Sequence, residues 1–177
     1  MIAGELKRRR LAAPRGLATR PSSDRLRQAL FDVLGPSLAG RAFLDLYAGT
    51  GAVGIEAFSR GARPVAWVES DPSALLCLRA NLAHLGIANT IVARPLPAAL
   101  ARLAGPWDLI FADPPYAALP QSFADLEPFA RAALRPGGRF LFEARRATPL
   151  HDPWAGMPLL RRLEVGDSIV AFYAAED

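Results

Sequence analysis

Cysteine and histidine are nearly missing from this chain. Cys77 is the single cysteine, so no internal disulfide can form, and its apolar helical setting reads as a buried structural thiol rather than a nucleophile. The two histidines, His84 and His151, stand far apart with no paired carboxylates at ligand spacing, which predicts that no metal is bound. No window approaches the roughly 18 uninterrupted apolar residues of a membrane span. The opening "MIAGELKRRRLAAPRG" has no apolar stretch behind its charges, as a secretory signal would. These absences predict a cytoplasmic protein with no membrane partner. Disorder is also excluded, because 51% of the 177 residues are hydrophobic and only 21% are charged, enough to build one core of ordinary size.

Charge is present but unevenly spread. Residues 1 to 27 carry Lys7, Arg8, Arg9, Arg10, Arg15, Arg20, Arg25 and Arg27 against Glu5 and Asp24, a net of +6, while the whole chain is only +4. The remainder is therefore slightly acidic. A basic arm on a near-neutral body is the electrostatic footprint of a polyanion binder, since every phosphate it neutralises releases counterions. A basic terminus that is merely solvated is the alternative.

After the arm, "SSDRLRQALFDVLGP" places Leu26, Leu30, Phe31 and Leu34 at helical spacing, with Ser23 or Asp24 available as N-cap and Gly35-Pro36 as the stop. From there strand-like runs alternate with helical ones. The strands are expected at 41–48, 64–70, 89–95, 107–115 and 138–144, and the helices at 52–60, 72–85, 97–103 and 122–134. Asp71-Pro72 marks a helix start, and "RPGG" (135–138) should close the last helix. Continuous apolar strands alternating with helices argue for a parallel sheet covered on both faces. The end breaks that rhythm: "LLRRLEV" (159–165) and "SIVAFYAA" (168–175) are separated only by Gly166-Asp167, which predicts an antiparallel hairpin.

Two stretches carry chemistry. In "LDLYAGTGAVGIEA" the first strand ends in an acid, turns through Ala48, Gly49, Thr50 and Gly51, and opens a helix in which Gly54 allows close packing. Asp45, inside the strand, gives nothing to a pyrophosphate but suits a cationic ligand. Glu69, at the end of the second strand, suits a pair of ribose hydroxyls. Together they describe a positively charged nucleoside without phosphate, a description that fits S-adenosyl-L-methionine better than NAD. The second stretch is "ADPPY", where two prolines force the chain off the fourth strand. There Asp113 and the carbonyl of Pro114 can accept both hydrogens of an exocyclic base amine, Pro115 fixes the path, and Tyr116 offers a face for stacking. A purely structural Asp-Pro turn is the alternative.

These motifs resemble the class I S-adenosylmethionine-dependent methyltransferases that modify exocyclic amines. More narrowly, "RPSSDRLRQALFDVL" (20–34), "FLDLYAGTGAVGIEAFSRGA" (43–62) and "FADPPY" (111–116) resemble the RsmD-type enzymes, which methylate the N2 of one guanine in bacterial 16S ribosomal RNA. The resemblance implies an α/β, Rossmann-like class I methyltransferase fold with a seven-stranded, mostly parallel sheet and a C-terminal antiparallel hairpin. It implies one domain over 1–177, with a basic arm and helix over 1–36 and the catalytic core over 37–177. It further implies S-adenosyl-L-methionine as cofactor, held by Asp45, Ala48, Gly49, Thr50, Gly51 and Glu69, and catalysis by Asp113, Pro114, Pro115 and Tyr116. Contact with 16S rRNA, within a 30S subunit or assembly intermediate, would fall to Arg8, Arg9, Arg10, Arg20 and Arg25, on a monomeric enzyme. One position departs from the pattern: after the third strand, where such enzymes often carry Asp or Asn followed by Ala for the donor's adenine, this chain has Pro95-Leu96. DNA adenine or cytosine methylation and a non-catalytic RNA-binding assembly role remain open beside this reading.

Overall fold

A computed structural model describes residues 1–12, 21–88, 90–103 and 105–175, without the side chains of residues 21–23 and 116. Helix α1 spans Pro21–Leu34, and then β1 (Phe43–Leu46), α2 (Ala52–Ser59), β2 (Val65–Glu69), α3 (Pro72–His84) and β3 (Thr90–Ala93) follow. In place of the helix expected over 97–103, only a short 3-10 turn at Leu100–Arg102 leads to β4 (Trp107–Ala112). A second, Tyr116–Ala118, leads to α4 (Leu119–Ala133), β5 (Leu134–Arg145), β6 (Leu159–Val165) and β7 (Ser168–Ala174). The seven strands form one sheet in the order β3-β2-β1-β4-β5-β7-β6. Pairings from β3 through β5 are parallel, and β7 is antiparallel to both neighbours, so the expected hairpin is present. The strand order reverses between β1 and β4. In open α/β sheets the ligand crevice lies at such a reversal, outside the carboxyl ends of the strands.

Alternation along the strands divides the core in two. Leu44, Leu46, Ile110, Ala112, Phe140 and Phe142 face the layer closed by α4 and by Trp154. Phe43, Trp67, Leu109, Phe111 and Leu141 face the layer closed by α1, α2 and α3. Asp45 has the parity of the second set. So have Glu69, Glu143 and, one residue past β4, Asp113.

Three expected boundaries move. Helix α1 begins at Pro21, whose fixed φ suits a first helical position, so Asp24 sits in the first turn and pairs with Arg27 at 2.8 Å instead of capping. Strand β4 ends at Ala112, before the prolines. The "RPGG" stretch lies inside β5, not at a helix end. Pairing jumps from Trp107↔Leu134 to Leu109↔Arg139, and the intervening residues bulge around Gly137, at φ +67°, and Gly138. A Cβ on Gly138 would lie 2.8 Å from the Arg135 carbonyl oxygen, so the bulge requires glycine there. Asp71 does cap α3, its Oδ1 accepting from the Ala74 N–H at 2.8 Å. Cys77 is only partly buried on α3.

The arm is docked. Buried Glu56 on α2 accepts from the N–H groups of Ile2 (2.8 Å) and Ala3 (2.9 Å) and from Arg60 Nε (3.0 Å). Ser59 accepts from the Leu6 N–H at 2.9 Å and donates to the Ala3 carbonyl. Asn81 on α3, 2% exposed, accepts from the Ala12 N–H at 2.7 Å and donates to the carbonyls of Ala12 (3.1 Å) and Thr50 (3.0 Å). Hydrogen bonds formed by such buried groups are costly to lose, so residues 1–12 are fastened to α2 and α3 through their backbone while their basic side chains stay outside.

Candidate active site

At the strand-order reversal a cavity of about 570 Å³ opens, within the size range of small-molecule sites. Its floor is the carboxyl end of the sheet, with Asp45, Phe111, Asp113 and Glu143. One wall is the turn from Tyr47 to Thr50 with Ala52 and Val53 of α2. The other is made by Met1 and Arg9–Ala12 of the arm with Asp24, Leu26, Arg27 and Leu30 of α1.

The turn owes its shape to positive φ at Tyr47 (59°), Gly49 (56°) and Gly51 (83°). The two glycines differ in role. A Cβ on Gly51 would come 2.4 Å from Leu78 Cδ1, whereas one on Gly49 would meet nothing within 4 Å and would stand in the open space where a ligand approaches. Gly54 lets α2 settle on the sheet, since a Cβ there would lie 2.3 Å from Trp67 Nε1 and 3.0 Å from Asp45 Oδ2. Two carboxylates hold this assembly. Asp45 Oδ2 accepts from the Gly54 N–H at 2.8 Å. Glu69 accepts from Gly49 (2.7 Å) through Oε2 and from Ser70 (2.6 Å) and Asp71 (2.8 Å) through Oε1. Burial drives the Asp45 carboxyl well above its ordinary protonation range. The Gly54 N–H opposes that shift, and the charges of Asp113 and Glu69 add to it. A buried carboxylate raised in this way is stabilised by a cation.

Of the residues singled out from sequence, Asp45, Ala48, Gly49, Thr50 and Asp113 line the cavity together with Arg9 and Arg10. Gly51 and Glu69 lie outside the wall and shape the turn from behind. Asp113 is exposed at the cavity and its N–H reaches the Leu46 carbonyl at 3.4 Å, which ties the corner to β1. Pro114 is buried, and the Pro115 carbonyl accepts from the Ala118 N–H at 2.8 Å and closes the turn into α4. The ring of Tyr116 and all of Arg20 lie outside the described residues. Arg8 and Arg25 are exposed beside the cavity wall without joining it. Leu96 packs against the α4-side core rather than in the cavity.

Sequence reasoning missed Tyr47 and Glu143 as cavity-lining residues, whereas Arg27, expected with Arg20 and Arg25 to contact phosphates or help close the site, does line the cavity. Tyr47 lies inside the recognised turn, and its hydroxyl is 3.0 Å from Ser122 Oγ of α4, which links the turn to the opposite layer. Burial raises the Tyr47 phenol, with the Ser122 hydrogen bond acting against that and Asp125 adding to it. Glu143 carries a signal that could have been read: it is an acid at the end of an apolar strand with the parity of Asp45.

The residues present fit S-adenosylmethionine: a roomy pocket, an open glycine on its wall, and three carboxylates, Asp45, Asp113 and Glu143, at the floor where a cation would lie. Among the described residues no group of three or more His, Cys, Asp or Glu could hold a metal ion, and no helix is long and apolar enough to cross a membrane.

Comparison with known proteins agrees with this geometry. Among curated proteins, a putative rRNA methyltransferase YlbH of Bacillus subtilis is 38% identical over 122 residues, 66% of each chain. The ribosomal RNA small subunit methyltransferase D of Escherichia coli is 36% identical over 117 residues, 66% of this chain and 59% of the relative. The match thus spans about three fifths to two thirds of these relatives' lengths. Among solved structures, a putative methyltransferase, yhhF, from Escherichia coli superposes with a TM-score of 0.83 at 29% identity, covering 99% of this chain and 97% of that one. The T. thermophilus 16S rRNA N2 G1207 methyltransferase RsmC, solved with AdoMet and guanosine, superposes with a TM-score of 0.73 at 27% identity, covering 92% of this chain and 45% of that one. The fold is that of the class I methyltransferases. Because the family model described as Conserved hypothetical protein 95 matches residues 1–174, arm and hairpin included, this chain belongs to that family, the family of RsmD-type proteins.

Proposed function

We propose that this protein methylates the exocyclic N2 of a guanine in small-subunit ribosomal RNA, using S-adenosylmethionine as donor. The observation that carries the reading is that one cavity holds Asp45, the glycine turn and Asp113, with Arg9 and Arg10 of the arm on its wall. S-adenosylmethionine supplies an electrophilic methyl group when bound. Asp45 and the turn Ala48–Gly51 would hold its methionine part. Glu69, which accepts three backbone hydrogen bonds, has about one acceptor site left, on Oε2, for a ribose hydroxyl, because a carboxylate offers about four.

The rest of the mechanism belongs to the corner. A guanine N2 is a poor nucleophile because its lone pair is delocalised into the ring. Asp113 accepts one N–H and the Pro114 carbonyl the other, which draws the nitrogen toward tetrahedral geometry and frees the lone pair for in-line attack. With S-adenosylmethionine bound, its methyl group would pass to N2 with the thioether as leaving group, and the alkylated nitrogen, then acidic, would give its proton to Asp113 or water. Tyr116 supplies the stacking face, worth about 1–3 kcal/mol. The base must leave its helix to reach the corner. Arg8, Arg9, Arg10, Arg20 and Arg25 engage phosphates around it.

A small protein with one basic arm has little surface for reading RNA sequence alone, so the substrate in this reading is a 30S subunit or assembly intermediate, met in the cytoplasm by a monomeric enzyme. The test is transfer of tritium from labelled S-adenosylmethionine to unmethylated 30S subunits, naked 16S rRNA and DNA in parallel, followed by nucleoside analysis. N2-methylguanosine, made faster on 30S subunits, is the expected product. Label confined to DNA would overturn the rRNA reading, and donor binding without transfer to any substrate would favour a non-catalytic assembly role.

A further inference from the structure

Glu143 belongs to no motif, yet it lines the cavity with Asp113. The sheet register explains why. Ala112 pairs with Phe142 as the last pair of the parallel β4–β5 ladder, and Asp113 and Glu143 are the next residues along the two chains, both lining the cavity. Alternation turns both toward the face that carries Asp45. Above them runs α1, which packs across the sheet as far as β6 and contributes Arg27 and Leu30 to the cavity wall.

Arg27 is unusual for a helix-surface arginine. Its side chain is only 11% exposed, its Nη2 donates to Asp24 at 2.8 Å, and its Nε is buried with no acceptor among the described residues. A buried charge-bearing donor without an acceptor is costly, and a bound molecule that brings an acceptor relieves the cost. The floor and roof of this half of the cavity therefore present a carboxylate acceptor and a guanidinium donor, beside the carboxylate assigned to the target amine.

We propose that Glu143 and Arg27 read the target base as guanine, Glu143 accepting its N1–H and Arg27 donating to its O6. This inference rests on the guanine-N2 reading above and extends it from the reacting amine to the rest of the base edge. The order of groups fits the order of strands and helix: Asp113 on the β4 side for N2, Glu143 on β5 for N1, and Arg27 on α1 for O6. Adenine presents the opposite pattern, with a lone pair at N1 and an amine at position 6. Its N1 would face the Glu143 carboxylate and its amine the guanidinium, so adenine is refused by the same two groups.

The test uses 30S subunits reconstituted with 16S rRNA carrying either guanine or 2,6-diaminopurine at the modified position, once nucleoside mapping has located it. Diaminopurine keeps the reacting N2 amine but has a lone pair at N1 and an amine in place of O6. The wild-type enzyme should prefer guanine. Glu143→Gln should lower kcat/KM on guanine by about 10- to 100-fold and narrow that preference, because an amide can donate to N1 of diaminopurine. Arg27→Ala should lower kcat/KM on guanine and spare diaminopurine. Donor affinity, measured separately by calorimetry, should stay within about twofold in both variants, which also reports that they fold. An unchanged base preference in both variants overturns the inference while leaving the function intact, and a fall in donor affinity that parallels the fall in rate does so as well, by moving these residues into the donor site. If Glu143→Gln does not fold, the base preference of Arg27→Ala decides alone. No N2-methylguanosine from the wild-type enzyme removes the function and the inference together.

Discussion

On one face of the sheet, Leu44, Leu46, Ile110, Ala112, Phe140 and Phe142 meet α4 and a cluster of aromatic rings. On the other, residues one position along the same strands are Asp45, Phe111 and Glu143, with Asp113 just beyond β4, under the arm and α1. The first face is filled. Phe123 stacks on Phe142 at 3.9 Å between ring centroids, and Trp154, brought in by the loop before β6, lies edge-on to Phe123, Phe140 and Phe142. The second face is filled under α2 and α3 and left open where the strands end. A two-residue repeat thus lets one strand build a dry core and a polar site at once, the site appearing only where alternation runs past the cover of the helices.

The largest expected effect tests the filled face. Trp154→Ala should cost about 3–5 kcal/mol in denaturant unfolding, because a large buried ring is lost along with its hydrogen bond to the Phe123 carbonyl. Donor affinity of the folded protein should be unaltered; a changed affinity would mean that the two faces are coupled. On the open face, Asp113→Ala should reduce methyl transfer by about 10²- to 10³-fold with donor affinity retained, as measured by single-turnover kinetics and calorimetry. Near-normal turnover would remove Asp113 from the chemistry.

Gly54→Ala sharpens the comparison where the open face meets its helix. The added methyl runs into Trp67 and the Asp45 carboxylate, so thermal melts should show a loss of about 1–3 kcal/mol, accompanied by weaker donor binding. Stability loss without weaker binding would separate Asp45 from the donor.

The smallest effect has the opposite sign. Burial raises the Asp45 carboxyl in the folded state above its unfolded value, so its contribution to stability is full below the ordinary carboxylate range and is lost as pH rises through the raised value. Asp45→Asn keeps an acceptor for the Gly54 N–H without the charge. It should be more stable than the parent by about 0.5–2 kcal/mol near pH 8, with the difference closing toward pH 4, while binding the donor less well. A difference independent of pH would show that Asp45 does not titrate on folding.

Much of the fold can be read in the chain itself because its signals are local. Continuous apolar runs alternating with helical periods gave the parallel body, Gly166-Asp167 the hairpin, and Asp71-Pro72 the start of α3. The glycine turn and the proline corner announce themselves because each needs residue types that little else requires. Less could be read where several conformations suit one sequence. "RPGG" serves a helix end or a bulge equally well, and only the pairing of Leu134 with Trp107 selects the bulge. Basic residues 7–10 suggest a solvated arm, but its fastening is made by backbone groups to Glu56, Ser59 and Asn81, up to 69 positions away. The sequence alone therefore determined the elements, their parity and the two motifs, since propensity and alternation act over a few residues. Only the tertiary structure decided that Glu143 lines the cavity with Asp113 and that Arg27 roofs them, because strand register and helix placement follow from packing between segments distant in the chain.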